Sequence, residues 1–206
     1  MRDGDQLGFD ALLQDADAEN VARVFATETA HLPCDWTVAL EYHRNQITAH
    51  HAAMLASDFD TALAIRKEAC LLARKLNNGQ AGILAGDDAP GCQLDKHAAA
   101  ADGTIPLWGQ SGQFDITAAG LSARCEMKGM FGIGSTSMPY LGFSLRALNS
   151  SELFLSNSGY RSFLGASVSP EVGMTTEGFV RRVITAFVEQ ELRGKLVRID
   201  PDYFKR

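Results

Sequence analysis

A thiol, a carboxylate and an imidazole fall within one short stretch of the sequence, at Cys92, Asp95 and His97. A cysteine near a histidine can act as a nucleophile once a positive neighbour favours its thiolate. The local residues Asp87, Asp88 and Asp95 are acidic and oppose that activation. The hydroxyl that could join such a site is Ser135, which follows Gly129, Gly132 and Gly134 and precedes Thr136 and Ser137. Glycines let backbone amides come close to a ligand, so Gly132, Gly134, Ser135 and Thr136 are candidate ligand contacts. A true phosphate cradle leads from a strand into a helix. Strand-like patterns flank this loop on both sides, so it reads as a flexible hairpin loop. The strained Gly-x-Ser-x-Gly elbow is missing, since Gly109-Gln110-Ser111-Gly112 is one residue short of it.

Other polar clusters read more plainly. His43, His50 and His51 lie on or beside one helical stripe, but a metal pair needs ligands one turn apart. His43 and His50 are two turns apart, roughly 10 Å, so contacts between helices or subunits explain them better. His31 and Cys34, with Cys92 and His97, lack the tight spacing of a zinc knuckle. No metal and no cofactor is expected. Tyr160 and Arg161, beside Ser158, sit at a turn and are further candidates to hold an acidic group. Arg181, Arg182, Arg193, Lys195 and Arg198 make the C-terminal part basic and read as a solvated face with local ion pairs. Asp58 and Asp60 fit helix capping.

The bulk numbers narrow the classes. The chain has 206 residues, 46% hydrophobic and 21% charged, which is ordinary for a globular protein. A formal net charge of −6 argues against broad binding to nucleic-acid backbones. No apolar run approaches the roughly 20 residues of a membrane helix, so no membrane association is expected. The start, Met1-Arg2-Asp3-Gly4-Asp5, lacks the order of a secretory signal. Four cysteines, Cys34, Cys70, Cys92 and Cys125, are scattered singly, as free thiols in a reducing cytoplasm would be.

The elements that must position these groups follow from periodicity. Val21, Val24 and Phe25 suggest a first helix behind acidic residues. Trp36, Leu40, His43, Ile47, His50 and Met54 recur in steps of four and three, predicting a second. Ser57-Asp58-Phe59-Asp60 breaks it and caps a third, with Ala62, Leu63, Ala69, Cys70, Ala73 and Leu76 as its stripe and Asn77-Asn78-Gly79 as its end. Residues 57–73 resemble the second helix of a tetratricopeptide repeat, as a single unit rather than an array. Residues 1–79 are therefore expected to form a helical hairpin or small bundle, and residues 80–112, rich in Gly, Ala, Asp and Pro, an irregular connection.

Residues 113–206 change period. Leu121, Ala123, Cys125 and Met127 alternate with polar residues, as do Leu141, Phe143 and Leu145. Pairing Met127 with Leu141 and Cys125 with Phe143 keeps both apolar sets on one face. Turns at Asn149-Ser150-Ser151 and Asn157-Ser158-Gly159 extend the pattern into an antiparallel meander. Phe179, Val180, Val183, Ile184, Phe187, Val188 and Leu192 then predict an amphipathic helix that covers the sheet. The fold class is α+β. Residues 158–165, with the run Glu191-Leu192-Arg193-Gly194-Lys195-Leu196, resemble the C-terminal part of uncharacterised bacterial proteins. That resemblance covers the last quarter of the chain and implies no activity.

Two functions fit this reading. The first is a non-catalytic binding or regulatory module, whose helical hairpin contacts protein or a second copy and whose sheet half holds a small or acidic ligand. The alternative is a small cytoplasmic enzyme with Cys92, His97 and Ser135 at the junction of the irregular segment and the sheet.

Overall fold

The computed structural model describes residues 17, 19–165 and 168–204. A helix over residues 19–28 (α1) leads to α2 (Trp36–Leu55), α3 (Phe59–Leu76) and the short α4 (Pro90–His97). Strands β1 (Gly112–Ala118), β2 (Leu121–Met127), β3 (Thr136–Ser137), β4 (Tyr140–Leu141), β5 (Phe143–Ala147), β6 (Leu153–Phe154) and β7 (Tyr160–Phe163) follow. The chain closes with α5 (Thr176–Gln190), β8 (Val197–Arg198) and α6 (Pro201–Phe204). Helices, an antiparallel sheet and a covering helix make this an α+β fold.

Local chemistry accounts for the helix ends. The Asp35 carboxylate accepts from the Val38 amide at 3.1 Å and starts α2. The Asp58 carboxylate accepts from the Thr61 amide at 3.1 Å and starts α3. Such a cap satisfies one of the orphan amides of a first turn. Asn78 and Gly79, both at positive φ, end α3. Trp36 is 37% exposed, but His43, Ile47, His50 and Met54 of the α2 stripe are all buried.

The four-stranded sheet runs in the order β1-β2-β5-β7. Its first strand is not among those predicted from periodicity: Phe114, Ile116 and Ala118 point inward, while Gln113, Asp115 and Thr117 point outward. A two-residue turn at Ala119 and Gly120, with φ of 47° and 82°, joins it to β2.

The β2–β5 register differs from the expected one by two residues, with Cys125 opposite Leu145 and Ala123 opposite Ala147. Leu141 is instead opposite Thr136, in the small β3–β4 hairpin. A slip of two preserves the faces, because side chains alternate with period two. The meander is also interrupted. β6 leaves the sheet to pair with β8, while the Ala147 amide bonds the Gly159 carbonyl at 2.8 Å and brings β7 beside β5. Residues 80–112, expected to be irregular, contain α4, which Pro90 at its first turn helps to start.

Two apolar clusters form the interior. One joins the inner sheet face to Phe179, Val180, Val183, Ile184 and Val188 of α5, with Phe187 and Leu192 packed at its margin. The other lies among α2, α3 and α4 and includes Met130 and Phe131 from the glycine-rich loop. α2 contributes to both, through Ala53 and Met54 to the first and Ala39 and Ile47 to the second.

Candidate functional site

α4 places its side chains on two fronts. Cys92, Asp95 and Lys96, three and four residues apart, share one face and line a cleft of about 690 Å³. The opposite wall is the end of β2 and the loop beyond it, with Glu126, Lys128, Gly132 and Gly134. Leu84, Phe131 and Ile133 add apolar surface. Leu84 is 42% exposed and Ile133 68%, so large apolar side chains stand open to solvent at this cleft.

Asp95 lies deepest of the charged groups, with its side chain 19% exposed. Its Oδ1 accepts from the Met130 amide at 3.3 Å, and its carbonyl accepts from the Ser111 hydroxyl at 2.7 Å. A Cβ at Gly129 would fall 2.1 Å from Asp95 Oδ1, so only glycine fits there. Burial pushes the Asp95 carboxyl up to about 7, with the Met130 amide working the other way.

Behind it, His43 Nε2 lies 4.0 Å from Asp95 Oδ1. The His43 ring is fully buried and stacks on Phe131 at 5.3 Å, and neither nitrogen has a hydrogen-bond partner. Burial holds it down to about 4, with the Gln46 side chain working the other way although too poorly placed for a full hydrogen bond. His50 is likewise held to about 4 by burial, with its Nδ1 3.1 Å from the Trp108 carbonyl. His51 Nδ1 accepts from the Trp108 amide at 3.2 Å. The adjacent pair therefore fastens the segment before β1 to α2.

Hydrogen bonds tie the glycine-rich loop to α3 and to itself. The Arg66 guanidinium of α3 donates to the Met130 carbonyl at 2.9 Å and to the Gly132 carbonyl at 3.1 Å. The Ser135 hydroxyl donates to the Gly132 carbonyl at 2.9 Å, and the Thr136 hydroxyl to the Gly142 carbonyl at 2.5 Å.

The residues singled out from sequence are distributed among several places. Cys92, Gly132 and Gly134 share the cleft, whereas His97 points elsewhere. Five residues along a helix correspond to about 140° of rotation, which separates His97 from Cys92. The His97 ring meets Trp36 edge-on at 5.9 Å, and its Nε2 lies 3.2 Å from Gln93 Oε1. The Cys92 thiol is pushed up by burial and by Asp95 and Asp87, away from thiolate. Ser135 and Thr136 are fully buried.

Tyr160 lies on the outer sheet face, where with Gly134 it borders a small hollow of about 60 Å³. Arg161 is on the other side of β7, its guanidinium 4.6 Å above the Phe187 ring. Strand alternation separates the two. His31 pairs with Glu68 at 3.4 Å, and among the described residues no group of three His, Cys, Asp or Glu side chains could hold a metal. Arg181 and Arg182 are engaged by Glu177 at 2.7 Å and Glu171 at 2.5 Å. Asp95 and Gly129 were missed as partners. The faint signal for Asp95 was its i+3 spacing from Cys92, informative only once α4 is known.

The fold and cleft define an α+β protein whose central opening lies between a short helix and a sheet end. Comparison with known proteins finds two Escherichia coli relatives, each described as Protein KlcB. One is 33% identical over 124 residues, which is 60% of this chain and 29% of the relative. The other is 30% identical over 174 residues, which is 84% of this chain and 36% of the relative. The chain thus spans about a third of the length of the curated relatives it matches. The likeness to bacterial proteins extends well beyond the last quarter of the chain. No protein-family model and no solved structure matches it.

Proposed function

We propose that this chain is a non-catalytic binding module, whose cleft between α4 and the glycine-rich loop takes a small ligand. The observation that carries the reading is the cleft itself. Its volume of about 690 Å³ lies within the usual range for ligand sites, which are largely apolar with a few placed polar groups. The chemistry of the candidate nucleophiles favours binding over a Cys/His reaction. Cys92 is pushed away from thiolate, His97 faces Trp36, and the Ser135 proton is committed to a backbone carbonyl. The free thiols Cys34, Cys70, Cys92 and Cys125 suit a cytoplasmic setting. Among the described residues no helix is long and apolar enough to cross a membrane.

The helical hairpin is the proposed face for a protein partner or a second copy. Val21 and Val24 of α1 are 60% and 66% exposed, and α1 borders a groove of about 670 Å³ against the end of α3. Mass measurement in solution reads that part directly, and a strict monomer that captures no partner argues against it.

Ligand-observed NMR with a fragment library tests the cleft. A Cβ at Gly134 meets only ordinary contacts, 3.6 Å from Lys128 Cδ and 3.7 Å from Leu164 Cδ2, so Gly134→Phe adds a ring at the cleft wall with room for its Cβ. Saturable hits on the native chain that vanish in Gly134→Phe support the site. Hits unaffected by that change place binding elsewhere and sink the reading. Iodoacetamide labelling addresses the enzyme alternative, which requires Cys92 to react far faster than exposed Cys34.

A further inference from the structure

Asp95 is a carboxyl that the fold accommodates without giving it a counter-ion. Among the described residues the only basic group within ion-pair range is His43, at 4.0 Å, and burial keeps that ring neutral at ordinary pH. Buried charges in folded proteins are normally paired, because an unpaired one forfeits its hydration. Nor does packing call for a carboxyl here. The chain has to leave Gly129 without a side chain to admit it. One carboxylate oxygen, Oδ1, accepts the Met130 amide. The structure records no hydrogen bond to the other, Oδ2, which is not among the fully buried unpartnered atoms.

The remaining charges at the cleft, Lys96, Glu126 and Lys128, are exposed residues. Water and salt weaken their pull on a ligand, whereas attraction to Asp95 acts in a lower local dielectric. A metal ion needs several converging donors, and no group of three is present among the described residues. An organic cation needs one carboxylate and an apolar surface for its body, which Leu84, Phe131 and Ile133 provide.

We propose that the cleft recognises a small organic cation, an amine or amidinium with an apolar body, whose charged head pairs with Asp95. This rests on the binding reading above and specifies its ligand class. Groups facing Asp95 are His43 of α2, Cys70 of α3, Cys92 and Lys96 of α4, and Lys128 beyond β2, with Arg66 beside Cys70. Cys70 and Cys92 are pushed up and stay neutral, and His43 is held down. Asp95 is thus the group whose charge changes near neutrality. Its ionised form binds the cation, so affinity rises with pH, by roughly tenfold between pH 6 and pH 8.

The test titrates the full chain with benzamidine and, separately, with benzoate. Saturable benzamidine binding, tighter at pH 8 than at pH 6 and at least about tenfold weaker in Asp95→Asn, is the expected result. Carbon-13 NMR of the Asp95 carboxyl in the native chain gives a second readout if the variant folds poorly. Its titration midpoint must fall when benzamidine binds. Benzamidine binding that ignores Asp95→Asn, or a midpoint that does not move, overturns the proposal. Benzoate binding lost in Lys96→Gln or Lys128→Gln would also overturn it, while leaving a ligand-binding cleft in place. If neither probe binds, the cation class falls, and the Gly134→Phe comparison separately decides the fate of the cleft.

Discussion

The interior of this protein has two buried zones that differ in how their polar atoms are treated. Beneath the sheet, Phe154, Phe179, Leu145 and Ile184 are fully buried, and the one indole among them is satisfied: Trp108 Nε1 donates to the Met174 carbonyl at 2.8 Å. Between α2, α4 and the glycine-rich loop, buried polar atoms go unmatched. Among the described residues, five of the six buried side-chain atoms without a partner belong to His43, Gln46 and His50 of α2. Unmatched polar groups cost stability that an apolar residue of the same shape would not. The sheet zone is therefore organised for stability, and the α2 seam retains groups whose presence packing does not explain. That contrast directs attention to the cleft on the far side of Asp95.

Breaking the stable zone should produce the largest effect. Phe179 is fully buried and meets Trp108 edge-on at 5.2 Å. Phe179→Ala should lower unfolding free energy by about 3–5 kcal/mol, the usual range for a buried aromatic, as read by urea titration. A loss under about 1 kcal/mol would mean that α5 does not clamp the sheet as described. At the seam, Gly129→Ala forces a methyl onto Asp95, and overpacking of this kind costs about 1–3 kcal/mol. In an Asp95→Ala background the same change should cost close to nothing. If the two substitutions prove additive, the close approach of Asp95 to Gly129 is wrong.

The same contrast explains what was legible in the sequence. The α2 and α5 stripes could be read because apolar residues repeat at the helical period, and the alternation in β2 and β5 showed which faces turn inward. Register was a different matter. A period of two fixes a strand's face but not its offset by two, and the diversion of Leu141 into the β3–β4 hairpin selected the offset. β6 left the sheet for β8 because of a pairing 45 residues distant, from Leu153 to Arg198, which no local pattern encodes. α4 was hidden because Leu94 is the one large apolar residue in its run Pro90–His97. The candidate site was the least legible part. Cys92 and the glycines were visible as residue types, but the burial of Asp95 depends on a loop 34 residues further on, at Gly129.

The subtlest effect belongs to His43, and it sharpens the comparison most. In the folded chain burial holds this imidazole at about 4, against an ordinary 6.5. Between those values the unfolded chain takes up a proton that the folded chain refuses. His43 therefore removes stability as pH falls through that window, by about 1.4 kcal/mol per unit and about 3 kcal/mol in all. Asp95 works in the opposite sense. Its folded value near 7 means that it favours folding at low pH and loses that contribution as pH rises toward 7. The net acid slope mixes the two, so the informative quantity is the difference between the native chain and His43→Leu at each pH. At pH 7.5 the ring is neutral and unpartnered, and a leucine of similar volume should change stability by less than about 1 kcal/mol. Toward pH 4 the variant should gain on the native chain by about 3 kcal/mol. Parallel stability curves across that range would show that His43 is already protonated or partnered, and the seam would then be no less satisfied than the core beneath the sheet.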